Sequence, residues 1–152
     1  MSIWRTIRFI TSHPLTRDSA ADALLRYLRW QIGSRIIGEP TSVRFVNQTR
    51  LLVESGMSGA TGNIYVGLHE FEDMGFVLHA LRPDDLFFDI GANIGSYTVL
   101  AAGGVGATCV SVEPVPSTYQ WLLKNVGLNG LQERVTCWNV GVGEEQGVLR
   151  FT

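Results

Sequence analysis

The sequence predicts an α/β fold: a doubly wound parallel sheet, present as its first β-α-β-α-β half and preceded by a small α+β region. Three observations predict it. The apolar run Leu86-Phe87-Phe88 ends in Asp89, a glycine-spaced turn follows, and a helical pattern opens at Ser96. About twenty residues further on, Cys109-Val110-Ser111-Val112 leads into Glu113, an acid at the end of a second buried strand. A second helical pattern then precedes a third apolar stretch, residues 135–140.

The elements follow in order. The first ten residues mix arginine with apolar side chains, and their uncharged stretches are too short for a signal-peptide core or a membrane span. Weak surface association with a membrane is the alternative reading of that segment. His13-Pro14 breaks the pattern. Ser19 and Asp22 resemble a capping box for a helix over 20–32, with Ala21, Leu24, Leu25, Leu28 and Ile32 on its core face. Arg26 and Arg29 fall on the solvated face, a phosphate patch being the alternative. Beyond Gly38-Glu39-Pro40, residues 41–47 alternate, with Val43 and Phe45 on one side, and pair with 50–54 as a hairpin. The Gly/Ser-rich stretch 55–62 reads as a loop and 63–67 as a short strand. Residues 1–69 are therefore expected to form a lid region and 70–152 the first half of a cofactor-binding domain.

In that second part, residues 70–81 carry Phe71, Met74, Val77 and Leu78 at helical spacing. Pro83-Asp84-Asp85 turns the chain into the first core strand. A helix is expected over 96–102, its amides facing the cofactor, with Gly103-Gly104-Val105-Gly106 ending it. Pro116 opens the next helix, whose Tyr119, Leu122, Leu123 and Val126 face the sheet, and Asn129-Gly130 caps it. Residues 147–151 look like the return of a hairpin.

Composition sets the outer bounds. A chain of 152 residues is the size of one domain, 45% of it is apolar and the formal charge is −2. That balance gives no electrostatic reason to expect nucleic acid, and no transmembrane segment is visible. Cys109 and Cys137 fall in interior strands as small hydrophobes, and neither zinc spacing nor an oxidising compartment is indicated, so a cytoplasmic location is expected.

The glycine-spaced turn selects the cofactor. A dinucleotide fingerprint wants glycines at offsets zero, two and five, where this chain has Gly91, Asn93 and Ser96. A pyrophosphate would also lie beside Asp89, and like charges repel at close range. No Gly-Lys-Ser/Thr follows, which excludes a phosphate loop. S-adenosylmethionine carries a sulfonium and an ammonium, which Asp89 favours. Gly91 and Gly95 permit close backbone approach, with Ala92 between them, and Asn93 can hold a positive φ. Glu113 is placed to accept the two ribose hydroxyls, and residues 139–141 should lie beside the adenine.

Asp89-Ile90-Gly91-Ala92-Asn93-Ile94-Gly95-Ser96-Tyr97-Thr98, then Glu113-Pro114-Val115-Pro116, then Asn125 and Leu128-Asn129-Gly130, resemble the FkbM-type S-adenosylmethionine-dependent methyltransferases. Gly67-Leu68-His69-Glu70-Phe71-Glu72 and Leu81-Arg82-Pro83 add to the likeness, which covers roughly residues 60 to 152. The resemblance implies a class I, Rossmann-like methyltransferase fold that binds S-adenosylmethionine through Asp89, Gly91, Ala92, Asn93, Gly95 and Glu113. It implies O-methylation of a small-molecule or glycan hydroxyl; no metal site is expected, since no ligand spacing is present. His69, Glu70, Glu72 and His79 are the candidates for a general base.

A complete sheet of that type has seven strands, and the second half is absent here, so the chain reads as the N-terminal portion of a longer protein. The first core strand then keeps one uncovered edge, a site of possible self-association. The alternatives are a non-catalytic cofactor-binding or interaction fragment and an NAD-dependent oxidoreductase.

Overall fold

The computed structural model describes residues 3–145 and 147–148. At the N-terminus, helix α1 (Ile3–Ser12) and helix α2 (Ala20–Ile37) pack together through a short 3-10 turn at Arg17–Ser19. The predicted break at His13-Pro14 is there. Ser19 makes no capping hydrogen bond, so the expected capping box is not formed. The helix also runs past residue 32, closing only at Gly38, where φ is +64° and the N–H reaches the Ser34 carbonyl.

The buried face of α2 is rotated from the expected one. Ala23 and Trp30 are buried and Leu24 and Tyr27 half-buried, while Leu25, Leu28 and Ile32 stay exposed. Large rings bury more area than a leucine and so decide the orientation. Tyr27 meets Tyr65 edge-on, with centroids 5.1 Å apart. Arg26 and Arg29 are exposed, as expected of the solvated face, and Arg26 also reaches the neighbouring helix. Arg26 Nη2 donates to the Tyr65 carbonyl at 2.9 Å.

Strands β1 (Thr41–Arg44) and β2 (Arg50–Val53) form the expected antiparallel hairpin, in register from Thr41↔Val53 to Arg44↔Arg50. The stretch expected to be a loop and a strand is instead helix α3 (Ser58–Val66). Ala60, Thr61, Asn63, Tyr65 and Val66 are buried there. Its Gly62 is a packing residue: a Cβ at that position would come within 2.0 Å of His69 Nδ1. Glycine content therefore hid a buried helix.

Helix α4 (Phe71–Ala80) buries Met74 and Val77 as the spacing predicts. Strand β3 (Leu86–Ile90) follows. Helix α5 (Ser96–Thr98) runs straight into a π-helical stretch, Val99–Val105, whose first four residues are fully buried. The expected glycine stop is only partly right. Gly106 closes the stretch at φ +95°, but Gly103 and Gly104 lie within it. Their bare surface seats the hairpin turn. Asn47 Nδ2 donates to the Gly104 carbonyl at 2.7 Å, and a Cβ on Gly103 would meet Thr49 Cγ2 at 2.6 Å.

Strand β4 (Thr108–Val112), helix α6 (Pro116–Leu128) and strand β5 (Val135–Trp138) complete the described elements, β5 being two residues shorter than expected. The three core strands are parallel in the order β3-β4-β5, with Asp89 opposite Ser111 and Ser111 opposite Cys137. Pro116 opens α6 and Gly130 takes φ +65° after it, as expected. Leu122 and Val126 are buried against the sheet, but Leu123 points outward. Both cysteines are free. The hairpin return expected over 147–151 falls largely outside the described residues.

One face of the sheet is covered and the other is largely open along its two outer strands. Leu86, Phe88 and Ile90 on β3 and Trp138 on β5 are all more than half exposed, with Phe88 at 57%. An apolar sheet face beside an open strand edge invites pairing between copies. Phe88→Lys should therefore lower concentration-dependent self-association, measured by sedimentation velocity. Unchanged association would move the contact elsewhere.

Candidate functional site

The carboxyl end of β3 carries the site. Asp89 is the fourth residue of the strand, 8% exposed, and Gly91-Ala92-Asn93-Ile94-Gly95 turns the chain into α5. Three residues of that turn take positive φ: Gly91 (+80°), Asn93 (+51°) and Gly95 (+91°). Asn93 adopts the conformation its side chain tolerates best among non-glycine residues.

The turn is pinned to β4 through its own amides. Gly91 and Ala92 N–H both donate to the Val112 carbonyl, at 2.8 and 2.9 Å. Asn93 N–H donates to Glu113 Oε2 at 2.9 Å, while Glu113 Oε1 accepts the Val115 N–H, also at 2.9 Å. Those amides point at the protein, so they form no anion nest.

Asp89 is held by a buried relay. Ser111 and Thr98 hydroxyls meet at 2.8 Å, and Thr98 Oγ1 donates to Asp89 Oδ2 at 2.5 Å. Thr98 and Ser111 are both 0% exposed. Burial pushes the Asp89 carboxyl above the usual aspartate range; the Thr98 bonds oppose the shift and the nearby Glu113 charge adds to it.

A cleft of about 280 Å³ opens over this turn. Asp89, Gly91, Ala92 and Asn93 line it, together with Glu70, Tyr97 and His69. Its lining contains two carboxylates and no arginine or lysine. Tyr97 O–H donates to Glu70 Oε2 at 2.7 Å, and desolvation with the Glu70 charge raises the phenol well above its usual value.

Gly95 and Glu113 stand just outside the lining. A Cβ on Gly95 would meet Leu122 Cδ1 at 2.7 Å, so that glycine serves the packing of the turn on α6. A Cβ on Gly91 would meet nothing within 4 Å. Of the general-base candidates, His69 and Glu70 reach the cleft, whereas Glu72 and His79 do not. His79 Nδ1 lies 2.8 Å from the Gly75 carbonyl of its own helix. Asn139 Nδ2 donates to the Glu113 carbonyl at 2.8 Å and so braces the strand end beside the turn.

Comparison with known proteins extends the reading. No protein-family model matches the chain. A tRNA (guanine(37)-N(1))-methyltransferase of Xenopus tropicalis is 26% identical over 125 residues, 82% of this chain and 24% of that protein. The 31-O-demethyl-FK506 methyltransferase FkbM of Streptomyces tacrolimicus is 35% identical over 85 residues, 54% of this chain and 32% of that one. This chain thus spans about a third or less of the curated relatives it matches. Among solved structures, Pyrococcus horikoshii TYW2 in complex with MeSAdo matches with a TM-score of 0.53 at 16% identity, over 85% of this chain and 50% of that one. A second protein of that organism, described as a transferase, gives 0.54 at 20% identity over 67% and 36%. The fold is the first half of a class I methyltransferase sheet.

Sequence reading missed four residues that build this site. Thr98 and Ser111 orient Asp89, and the sequence carried no signal for them because Ser111 stands opposite Asp89 only once β4 pairs with β3. Asn63 Oδ1 accepts the His69 N–H at 2.7 Å and its Nδ2 lies 3.4 Å from Ser96 Oγ, tying the end of α3 to the start of α5. Ala60 lines the cleft from α3, which sequence reading had placed in a loop.

Proposed function

We propose that the chain is the cofactor-binding half of an S-adenosylmethionine-dependent methyltransferase. The observation that carries this is the acid-lined cleft at the end of β3, free of cationic side chains and floored by the bare backbone of Gly91. When bound, S-adenosylmethionine supplies a methyl group made electrophilic by its sulfonium. Asp89 would accept the ammonium of its amino-acid end, and the Thr98–Ser111 relay fixes the carboxylate for that bond. Glu113 already spends a lone pair of one oxygen on the Asn93 N–H and of the other on the Val115 N–H, and the remaining lone pairs are what ribose hydroxyls would use. His69 and Glu70 are the groups near enough to the cleft to take a proton from an acceptor.

The acceptor reading departs from the first expectation. The match to a tRNA-modifying enzyme runs through more of this chain than the match to a small-molecule methyltransferase, 82% against 54%. A nucleic-acid acceptor is therefore favoured over a small-molecule or glycan hydroxyl, and the expected absence of a nucleic-acid partner is dropped.

Calorimetric titration with S-adenosylhomocysteine, with NAD as control, tests the cofactor. Selective binding of S-adenosylhomocysteine is expected; selective NAD binding would overturn the proposal. Asp89 adds a signature in pH. Its raised pKa means that the folded chain keeps a proton that the unfolded chain has already released. Stability of the free protein should thus fall as pH rises from the ordinary aspartate range through the raised value. Affinity should run the other way, rising over the same window as the carboxylate forms. Asp89→Asn should flatten both profiles and weaken binding by roughly tenfold or more. Two unchanged profiles would remove Asp89 from the site.

A further inference from the structure

A second cavity lies on the other side of His69. It has a volume of about 600 Å³, within the ordinary range for small-molecule sites, and α1, α2 and α3 form its walls. His69 borders both this cavity and the cofactor cleft. The imidazole packs against Gly62, where any Cβ would collide with Nδ1, and forms an edge-type pair with Phe9, centroids 5.2 Å apart. The shared wall is therefore a single ring held in place by packing.

The lining states what the cavity suits. Phe9, Tyr27, Trp30 and Tyr65 present rings, and Tyr27 and Tyr65 stand nearly perpendicular at an interplanar angle of 84°. Such walls take a planar group by stacking or edge contact. The charged residues of the lining are Arg5 and Arg35, with no acid among them. Neither guanidinium is neutralised, because the ion pair found among the described residues joins Arg17 and Asp18. Arg35 is tethered at the mouth: its Nη1 donates to the Gln31 carbonyl at 2.8 Å, and Gln31 Nε2 donates to the Tyr65 hydroxyl at 3.2 Å. The two cavities thus have opposite electrostatic character. The cleft over Asp89 suits a cation, and the chamber beyond His69 suits an anion.

We propose that this chamber binds a small ligand in its own right, a planar aromatic group bearing an anionic substituent, phosphate or carboxylate. The assignment rests on the lining of the chamber alone and does not depend on the methyltransferase reading. The ring enters between Phe9, Tyr27, Trp30 and Tyr65, the anion stays at the mouth with Arg5 and Arg35, and His69 stands between the ligand and the cofactor cleft.

The test is calorimetric titration of the 152-residue chain with guanosine 5′-monophosphate and with 4-hydroxybenzoate, and with guanosine and inorganic phosphate as half-ligands. An anionic aromatic probe should bind more tightly than either half-ligand. Phenyl phosphate beside benzoate, which share the ring and differ in the anion, tells phosphate from carboxylate. The double variant Arg5→Gln/Arg35→Gln should weaken that probe by roughly tenfold or more, while S-adenosylhomocysteine binds as before. Ser55→Trp, which places a ring in the lining, should block the probe through shape alone. The proposal is overturned if the probe ignores both variants, or if inorganic phosphate binds as tightly as the nucleotide. If S-adenosylhomocysteine fails to bind the parent chain while the probe binds and responds to both variants, the methyltransferase reading falls and the chamber stands as a ligand site.

Discussion

Gly95→Val should destabilise the fold by about 2–5 kcal/mol, the sum of a left-handed backbone and an overpacked contact. The position has φ +91°, and the added Cβ would reach Leu122 Cδ1 at 2.7 Å. Leu122 is fully buried in α6, so it has little room to withdraw. Gly91→Ala, four residues away in the same turn, should behave in the opposite sense. Its φ of +80° carries a strain of only about 1–2 kcal/mol, because the new methyl meets no protein atom within 4 Å. That methyl projects from a residue lining the cleft, so the loss should appear in S-adenosylhomocysteine affinity. Urea denaturation of both variants beside a binding titration separates the two. A stable Gly95→Val chain with lost affinity, or a Gly91→Ala chain that binds normally, would exchange the roles assigned here. Sequence reading treated both glycines as ligand-facing because spacing reports that a turn needs glycine, not which side of it is crowded.

The same limit runs through the chain. The parallel core was legible because its signals are local: apolar runs ending in Asp89 and Glu113, helical spacing between them, and proline at the start of α6. The N-terminal layer was harder. In α3, Gly62, one of the residues that signal a loop, is there because His69 presses against the helix. Gly103 and Gly104 misled in the same way, since they yield to Thr49 and Val46, some fifty residues distant in sequence. In α2 the count of leucines pointed to one face and the rings of Tyr27 and Trp30 took another. In each case a contact distant in sequence overrode a local pattern. At the site, the charge of Asp89 was readable, whereas the hydroxyl relay that orients it exists only once β4 lies in register beside β3.

Asn125 shows how far such contacts reach. It is fully buried in α6, yet its amide makes three bonds to other elements. Oδ1 accepts the Leu52 N–H at 2.6 Å, and Nδ2 donates to the carbonyls of Leu52 and Ile94 at 3.2 and 2.9 Å. Asn129, one helical turn on, treats Arg50 in the same way, accepting its N–H and donating to its carbonyl, both at 2.8 Å. The two amides stand in for a neighbouring strand along the outer edge of β2, and Asn125 joins that edge to the turn below the cofactor cleft. Asn125→Ala should therefore destabilise by about 2–4 kcal/mol, since the Ile94 carbonyl is left buried and unpaired while water recovers part of the Leu52 bonds. Asn129→Ala, at the more exposed end of the edge, should cost no more than about 1 kcal/mol. Asn125→Asp discriminates a hydrogen-bonding role from one of shape. It keeps the size and the acceptor for the Leu52 N–H but sets a carboxylate against two carbonyls, so it should be destabilised nearly as much as the alanine variant at neutral pH and recover as the acid is protonated. Urea denaturation of the three variants at pH 7 and pH 4 measures this. An aspartate variant as stable as the parent at pH 7 would mean that side-chain volume, not the amide donor, holds the hairpin to the turn.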